Sequence, residues 1–265
     1  MSDDTAPRAG AGTGDTGRFA TSVYGVYAWV SFIVCFSGAV LFALAMPGLE
    51  RRRRWVSAAA RSWFTVAGIR TTRTGLENIP AGHCIVVANH ASYMDGVILQ
   101  AYLPPRFSFV VKGEMRNVPV ASILLQRIGS KFVERFVAAA SARDALTLLR
   151  AAVAGECLAF FPEGTFHVEP GLHRFHSGAF AAAIKGRLPV VPLAIRGSRQ
   201  ILPARKFLPR HGHLHIAVLD AIHPTDASFR RSTLLAEMAR QRILAALDEP
   251  DLALPTGPVA ETRSM

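Results

Sequence analysis

The run Ile85-Val86-Val87-Ala88-Asn89-His90-Ala91-Ser92-Tyr93-Met94-Asp95 decides how the chain is read. Its first four residues are apolar without interruption. A half-exposed strand would alternate, so this pattern predicts a strand buried on both faces. The apolar run stops at Asn89-His90. In open α/β sheets, ligands gather beyond the carboxyl ends of the strands, and His90 falls there. Asp95 follows near the start of the next helical segment, from which its carboxylate can turn back to the imidazole Nδ1. Such a contact fixes the tautomer, leaves Nε2 as a base and stabilises the imidazolium that forms. A base held this way suits deprotonation of a hydroxyl near neutral pH.

The same strand-then-stop pattern recurs along the chain. Apolar runs at 84–88, 107–111, 131–133, 158–161, 190–195 and 213–219 predict strands, with a short one at 71–75. Helical periodicity appears at 96–102, 118–127, 138–154, 177–185 and 228–247. This rhythm predicts an α/β fold with a mostly parallel central sheet flanked by helices. A second constellation, Phe160-Phe161-Pro162-Glu163-Gly164-Thr165, ends another strand and leaves Glu163 and Thr165 on the same edge. A loop there with free backbone N–H groups can cradle a phosphate; a simple strand-terminating turn is the alternative. No Gly-x-Ser-x-Gly elbow is present, and Ser92 reads as a helix cap. The base therefore acts on a bound hydroxyl, which attacks an activated acyl group directly.

Charge and hydropathy place this chemistry at a membrane. Half of the 265 residues are hydrophobic and the net charge is +11. Such a surplus attracts anions. There is no zinc-finger spacing, basic heptad helix or RNP-like strand, so nucleic acid is excluded as a partner. From Ala20 to Leu49 no residue is charged, and Arg51 to Arg54 follow at once. As a helix this stretch reaches about 45 Å, more than a hydrocarbon core. Residues 19–50 thus read as a membrane segment: one spanning helix, or a hairpin broken near Ser37-Gly38. A signal peptide is opposed by the length and by the arginines. The arginines put the rest in the cytoplasm, at the inner membrane, against anionic lipids.

Residues 51–72 read as a basic, amphipathic interfacial helix anchored by Trp55, Trp63 and Phe64, with a core helix as the alternative. Residues 73–248 form the α/β domain, and 1–18 and 249–265 read as disordered tails. Cys35, Cys84 and Cys157 lack metal or redox spacing and read as buried thiols. His211, His213 and His215 alternate along a strand as polar residues, and no metal is expected. His173 and His176 flank Arg174 at the surface or the substrate rim. Arg196 pairs with a carboxylate or meets a phosphate.

Taken together, four ordered blocks resemble the glycerolipid acyltransferase family. They are Asn89-His90-Ala91-Ser92-Tyr93-Met94-Asp95; Lys112-Gly113-Glu114 with Pro119, Gly129 and Phe132-Val133-Glu134-Arg135; Phe161-Pro162-Glu163-Gly164-Thr165; and Val191-Pro192 through Arg196-Gly197. The resemblance implies that His90, oriented by Asp95, is the general base. It implies a lysophospholipid acceptor, 1-acyl-glycerol-3-phosphate, acylated to phosphatidic acid, with acyl-CoA or acyl carrier protein as co-substrate and no cofactor. Asn89, Lys112, Arg135, Glu163, Gly164 and Thr165 are then the substrate-binding candidates. One departure stands out: many relatives carry Arg directly after Glu-Gly-Thr, and this chain has Phe166-His167. Another lyso-lipid, such as lyso-ornithine lipid, therefore stays open as the acceptor. A hydrolase or thioesterase using the same base, and a non-catalytic membrane-surface adaptor, are the competing functions.

Overall fold

The structure, a computed structural model, describes residues 13–133 and 138–253. Seven strands lie among them: β1 (Arg70–Thr74), β2 (Ile85–Ala88), β3 (Phe107–Lys112), β4 (Lys131–Val133), β5 (Cys157–Phe160), β6 (Val190–Arg196) and β7 (His213–Val218). They build one sheet in the order β1-β7-β6-β2-β5-β3-β4. Every neighbouring pair is parallel except β6 with β7. Parallel neighbours need long crossovers. These contain α3 (Asp95–Tyr102), α4 (Pro119–Arg127), α5 (Ala138–Val153) and α6 (Gly178–Gly186), while α7 (Ser198–Ile201) and α8 (Ser232–Ala245) follow β6 and β7. The α/β, mostly parallel architecture is the one the apolar runs predict.

Strand β2 occupies the centre, between β6 and β5. Val86 and Ala88 face a core shared with Ile98, Trp63 and Phe64, while Ile85 and Val87 face one shared with Phe180 and Leu235. All four β2 residues are fully buried. That two-sided burial is why the run is continuously apolar.

Two helices precede the sheet. Helix α1 (Thr13–Ala45) begins inside the segment expected to be a tail and runs unbroken through Ser37 and Gly38, which leaves the single helix of the two alternatives and not the hairpin broken there. The chain reverses instead near Gly48, whose φ of 84° is in the left-handed region, and returns along α1 as α2 (Leu49–Val66). Trp63 donates to the carbonyl of Ala28, and Tyr24 donates to that of Ala67. Trp63 and Phe64 are core residues rather than interfacial anchors. Only Trp55 is exposed, stacked on Phe42.

Half of the arginine run, Arg52 and Arg53, turns inward, while Arg51 and Arg54 are exposed. Arg52 donates to the carbonyls of Met46 and Arg127, and Arg127 donates to those of Ala43 and Leu44 at the end of α1. Arg53 is buried and donates to the carbonyls of Ile128 (2.7 Å), Pro105 (3.2 Å) and Arg106 (3.1 Å) and to Ser108 Oγ (2.6 Å). Replacing Arg53 by alanine strands these acceptors in the interior. A loss of about 3 kcal/mol is expected, read as a lower urea midpoint. An unchanged midpoint would show that water takes over the acceptors.

The C-terminal boundary also differs from expectation. Residues 249–253 are docked: Leu172 N–H donates to the Pro250 carbonyl, and Leu252 N–H to the Leu172 carbonyl. The buried Arg240 guanidinium requires carboxylates, and Asp251 meets it at 2.8 and 2.9 Å beside Glu237. Proline content in this stretch said nothing about that demand. The tail expected over 1–18 falls mostly, and the rest of the C-terminal tail wholly, outside the described residues.

Candidate active site

His90 lies just beyond β2, with Asn89 between, and its imidazole remains partly open to solvent. Its Nδ1 lies 2.9 Å from Asp95 Oδ2. The same oxygen accepts the backbone N–H groups of Ala91 (2.6 Å) and Ser92 (2.8 Å), so it is an acceptor fixed by the turn itself. Asp95 is fully buried at the first position of α3, and a carboxylate is also favoured at a helix N-terminus. An acceptor already held by two N–H donors demands a proton on Nδ1, which leaves Nε2 of His90 as the free base. The His90 ring is stacked on Phe161, with centroids 4.3 Å apart, and meets the edge of Phe166 at 4.7 Å.

Glu163 holds this arrangement from behind. One carboxylate oxygen accepts the His90 backbone N–H at 2.7 Å, and the other accepts that of His173 at 3.0 Å. Burial pushes its carboxyl up to about 7, against the two N–H bonds that favour the ionised form. The sequence marks Glu163 as a substrate contact; its side chain is instead a strut between two backbone segments. Asn89 is similar. Its buried amide accepts from Ile195 N–H at 2.7 Å and donates to the Ile195 carbonyl at 3.0 Å, extending the β2–β6 ladder by one residue. Both side chains engage the backbone beside His90.

Lys112 Nζ meets Thr165 Oγ1 at 3.2 Å, bringing the ends of β3 and β5 together. Gly164 turns the chain at φ 84°, with its N–H donating to the Phe161 carbonyl. Arg135 lies outside the described residues. Arg196 is used elsewhere, donating to the Ala246 carbonyl and pairing with Asp248 at 3.4 Å. His215 is hydrogen-bonded to Thr72 on β1, and His211 stacks on Tyr24, so these histidines belong to the far edge of the sheet. Ser92 is buried and donates to the Leu202 carbonyl at 2.8 Å. It is no nucleophile.

An apolar cavity of about 840 Å³ opens beside His90, Gly164, Thr165 and Phe166 and continues under α3 to a wall made by α1, α2 and α4. Ala39, Val56, Leu124 and Ile128 are among its lining residues and form one apolar cluster. Sequence reasoning missed that the long apolar helix supplies a wall of the site. The signal, Ala and Cys among bulkier residues on one helix face, is weak without the packing partner.

Comparison with known proteins accords with this geometry. The Acyltransferase family profile matches residues 70–196, the span from β1 to the end of β6. A chloroplastic 1-acyl-sn-glycerol-3-phosphate acyltransferase of Brassica napus is 27% identical over 234 residues, 81% of this chain and 66% of the relative. The 1-acyl-sn-glycerol-3-phosphate acyltransferase of Pseudomonas aeruginosa is 31% identical over 170 residues, 61% of this chain and 63% of the relative. The chain thus spans a little under two thirds of each. The crystal structure of the 1-acyl-sn-glycerophosphate acyltransferase PlsC from Thermotoga maritima shares the fold, with a TM-score of 0.71 at 22% identity over 88% of this chain and 95% of that one. The segment that carries the oriented histidine is the segment the profile matches, so residues 70–196 are similar to the Acyltransferase family over the part of the chain that holds the site.

Proposed function

We propose that the protein transfers a fatty acyl group from the thioester of acyl-CoA or acyl carrier protein to the free hydroxyl of 1-acyl-glycerol-3-phosphate, giving phosphatidic acid. The observation that carries this reading is the free Nε2 of an Asp95-fixed His90 at the mouth of an apolar cavity. Nε2 takes the acceptor hydroxyl proton as its oxygen attacks the thioester carbonyl. Collapse of the tetrahedral intermediate expels the thiolate, which recovers the proton from the imidazolium. No protein nucleophile takes part. The names of the relatives favour the phosphate-bearing acceptor, and Lys112 and Thr165 are poised at its end of the site.

The exposed apolar face of α1 supports a proposed mode of membrane attachment. One face carries the exposed residues Phe19, Val23, Val26, Val30, Ile33, Val34 and Leu41. The other packs on the domain from Tyr24 to Ala43. A helix flanked by a polar domain along its length cannot stand across the hydrocarbon without carrying that domain in. Embedding along one leaflet buries the apolar face without that cost. We take this to be the cytoplasmic leaflet of the inner membrane, with anionic lipids as partners.

The test is to incubate the protein in anionic vesicles with labelled acyl-CoA and a panel of lyso-lipids. Labelled phosphatidic acid is expected. Label recovered only as free fatty acid would sink the transfer reading, and label on lyso-ornithine lipid alone would move the acceptor. The cavity wall makes a further prediction. Ala39→Leu fills space at the α4 end and should lower kcat/KM for the longest acyl donors by about tenfold while sparing short ones. Equal losses for all chain lengths would place the acyl chain elsewhere.

A further inference from the structure

The connection after α7, Leu202 to Leu208, passes beside the catalytic loop. Ser92 is tied to the Leu202 carbonyl, and Arg199 donates to the carbonyls of His167 and Val168. Two residues of this connection, Ala204 and Arg205, line the same cavity as His90, Tyr93 and Phe166. Arg205 has a φ of 61°, a left-handed conformation that a residue with a Cβ adopts only against a steric penalty. It is exposed, and no partner for its guanidinium is seen among the described residues. Lys112 lines the cavity from the β3 side, near Glu114, whereas Arg205 enters from the β6 side. The two cations thus approach the His90 mouth from opposite flanks of β2 and β5.

We infer that Arg205 is a specificity-determining residue that binds the phosphomonoester of the acceptor. The inference rests on the proposed acyl transfer to a lysophospholipid. A planar guanidinium holds two phosphate oxygens at once, and Lys112 adds a point charge on the other side. Phe166 lines the same cavity and offers only an apolar ring, packed against Tyr93 and His90. The head group is therefore gripped from the loop behind the site.

The experiment compares the full-length protein with Arg205→Ala and Arg205→Lys in vesicles. KM is measured separately for lysophosphatidic acid and for acyl-CoA, alongside transfer to monoacylglycerol, which has no phosphate. Arg205→Ala is expected to raise KM for lysophosphatidic acid at least tenfold with kcat little changed. Arg205→Lys should recover part of this, and KM for acyl-CoA and transfer to monoacylglycerol should not move. An unchanged KM for lysophosphatidic acid overturns the inference, as does a rise confined to acyl-CoA, which would assign Arg205 to the donor's phosphates. Thermal protection by lysophosphatidic acid supplies a readout without turnover. Protection of the parent protein that is lost in Arg205→Ala supports the site even if acylation of that lipid fails. Equal protection of both overturns it.

Discussion

His90→Ala is expected to lower the rate of acyl transfer by about 10²–10⁴-fold while the protein stays folded and bound to vesicles. The imidazole packs against Phe161 and Phe166 at a partly open mouth, so its loss leaves no buried polar group without a partner except through Asp95. Asp95 keeps its two backbone donors from Ala91 and Ser92 in that variant, so the turn survives. Asp95→Asn tests the other half of the pair. An amide oxygen at the Oδ2 position still accepts the backbone N–H groups, but without charge it no longer stabilises the imidazolium. An amide nitrogen there faces N–H donors on every side. A comparable loss of rate, with some loss of stability, is expected. Vesicle flotation run beside the acylation assay separates the readings. An adaptor would retain its function in both variants, and a His90→Ala protein of undiminished activity would remove the base from the mechanism.

Much of this site could be read from residues alone because its parts obey local rules. A four-residue apolar run bounded by polar and turn residues suits a strand buried on both faces, and a histidine just past its carboxyl end falls where α/β topology gathers ligands. The Asp95 contact needs only the few residues of the intervening turn. The strands were found within a residue or two for the same reason. What stayed hidden depends on partners distant in sequence. Arg53 looks like membrane-facing charge until carbonyls 52–75 positions away are seen to surround it. Glu163 looks like a substrate ligand until His90 and His173 backbone groups occupy both its oxygens. Residues 249–253 look free until the buried Arg240 claims Asp251 and the partly buried Arg199 claims Glu249. In each case a local pattern gives the chemistry available, and the tertiary partner decides where it is used.

Glu163→Gln carries the second large effect, and pH separates its two consequences. In the native protein this carboxyl titrates at about 7, above its ordinary 4.5, chiefly because it is buried. The folded state therefore holds the proton to higher pH than the unfolded chain does. Its contribution to stability is greatest below about pH 4.5 and declines as pH rises through 7, by about 3 kcal/mol in all. Glutamine has no such titration, so this fall should vanish from the unfolding free energies of the variant measured between pH 4.5 and 8. Activity should move the other way. The carboxylate accepts one N–H at each oxygen, whereas glutamine turns an NH₂ toward either His90 or His173. The backbone that aims His90 is then pushed off by a buried donor facing a donor. A loss of kcat of about 10²-fold follows from a displacement on the scale of 1 Å. Stability equal to or above that of the parent at pH 8, joined to that loss of rate, is the signature of a strut that trades folding free energy for the position of the base. A pH–stability slope unchanged by the substitution would show that the carboxyl titrates normally and is solvated.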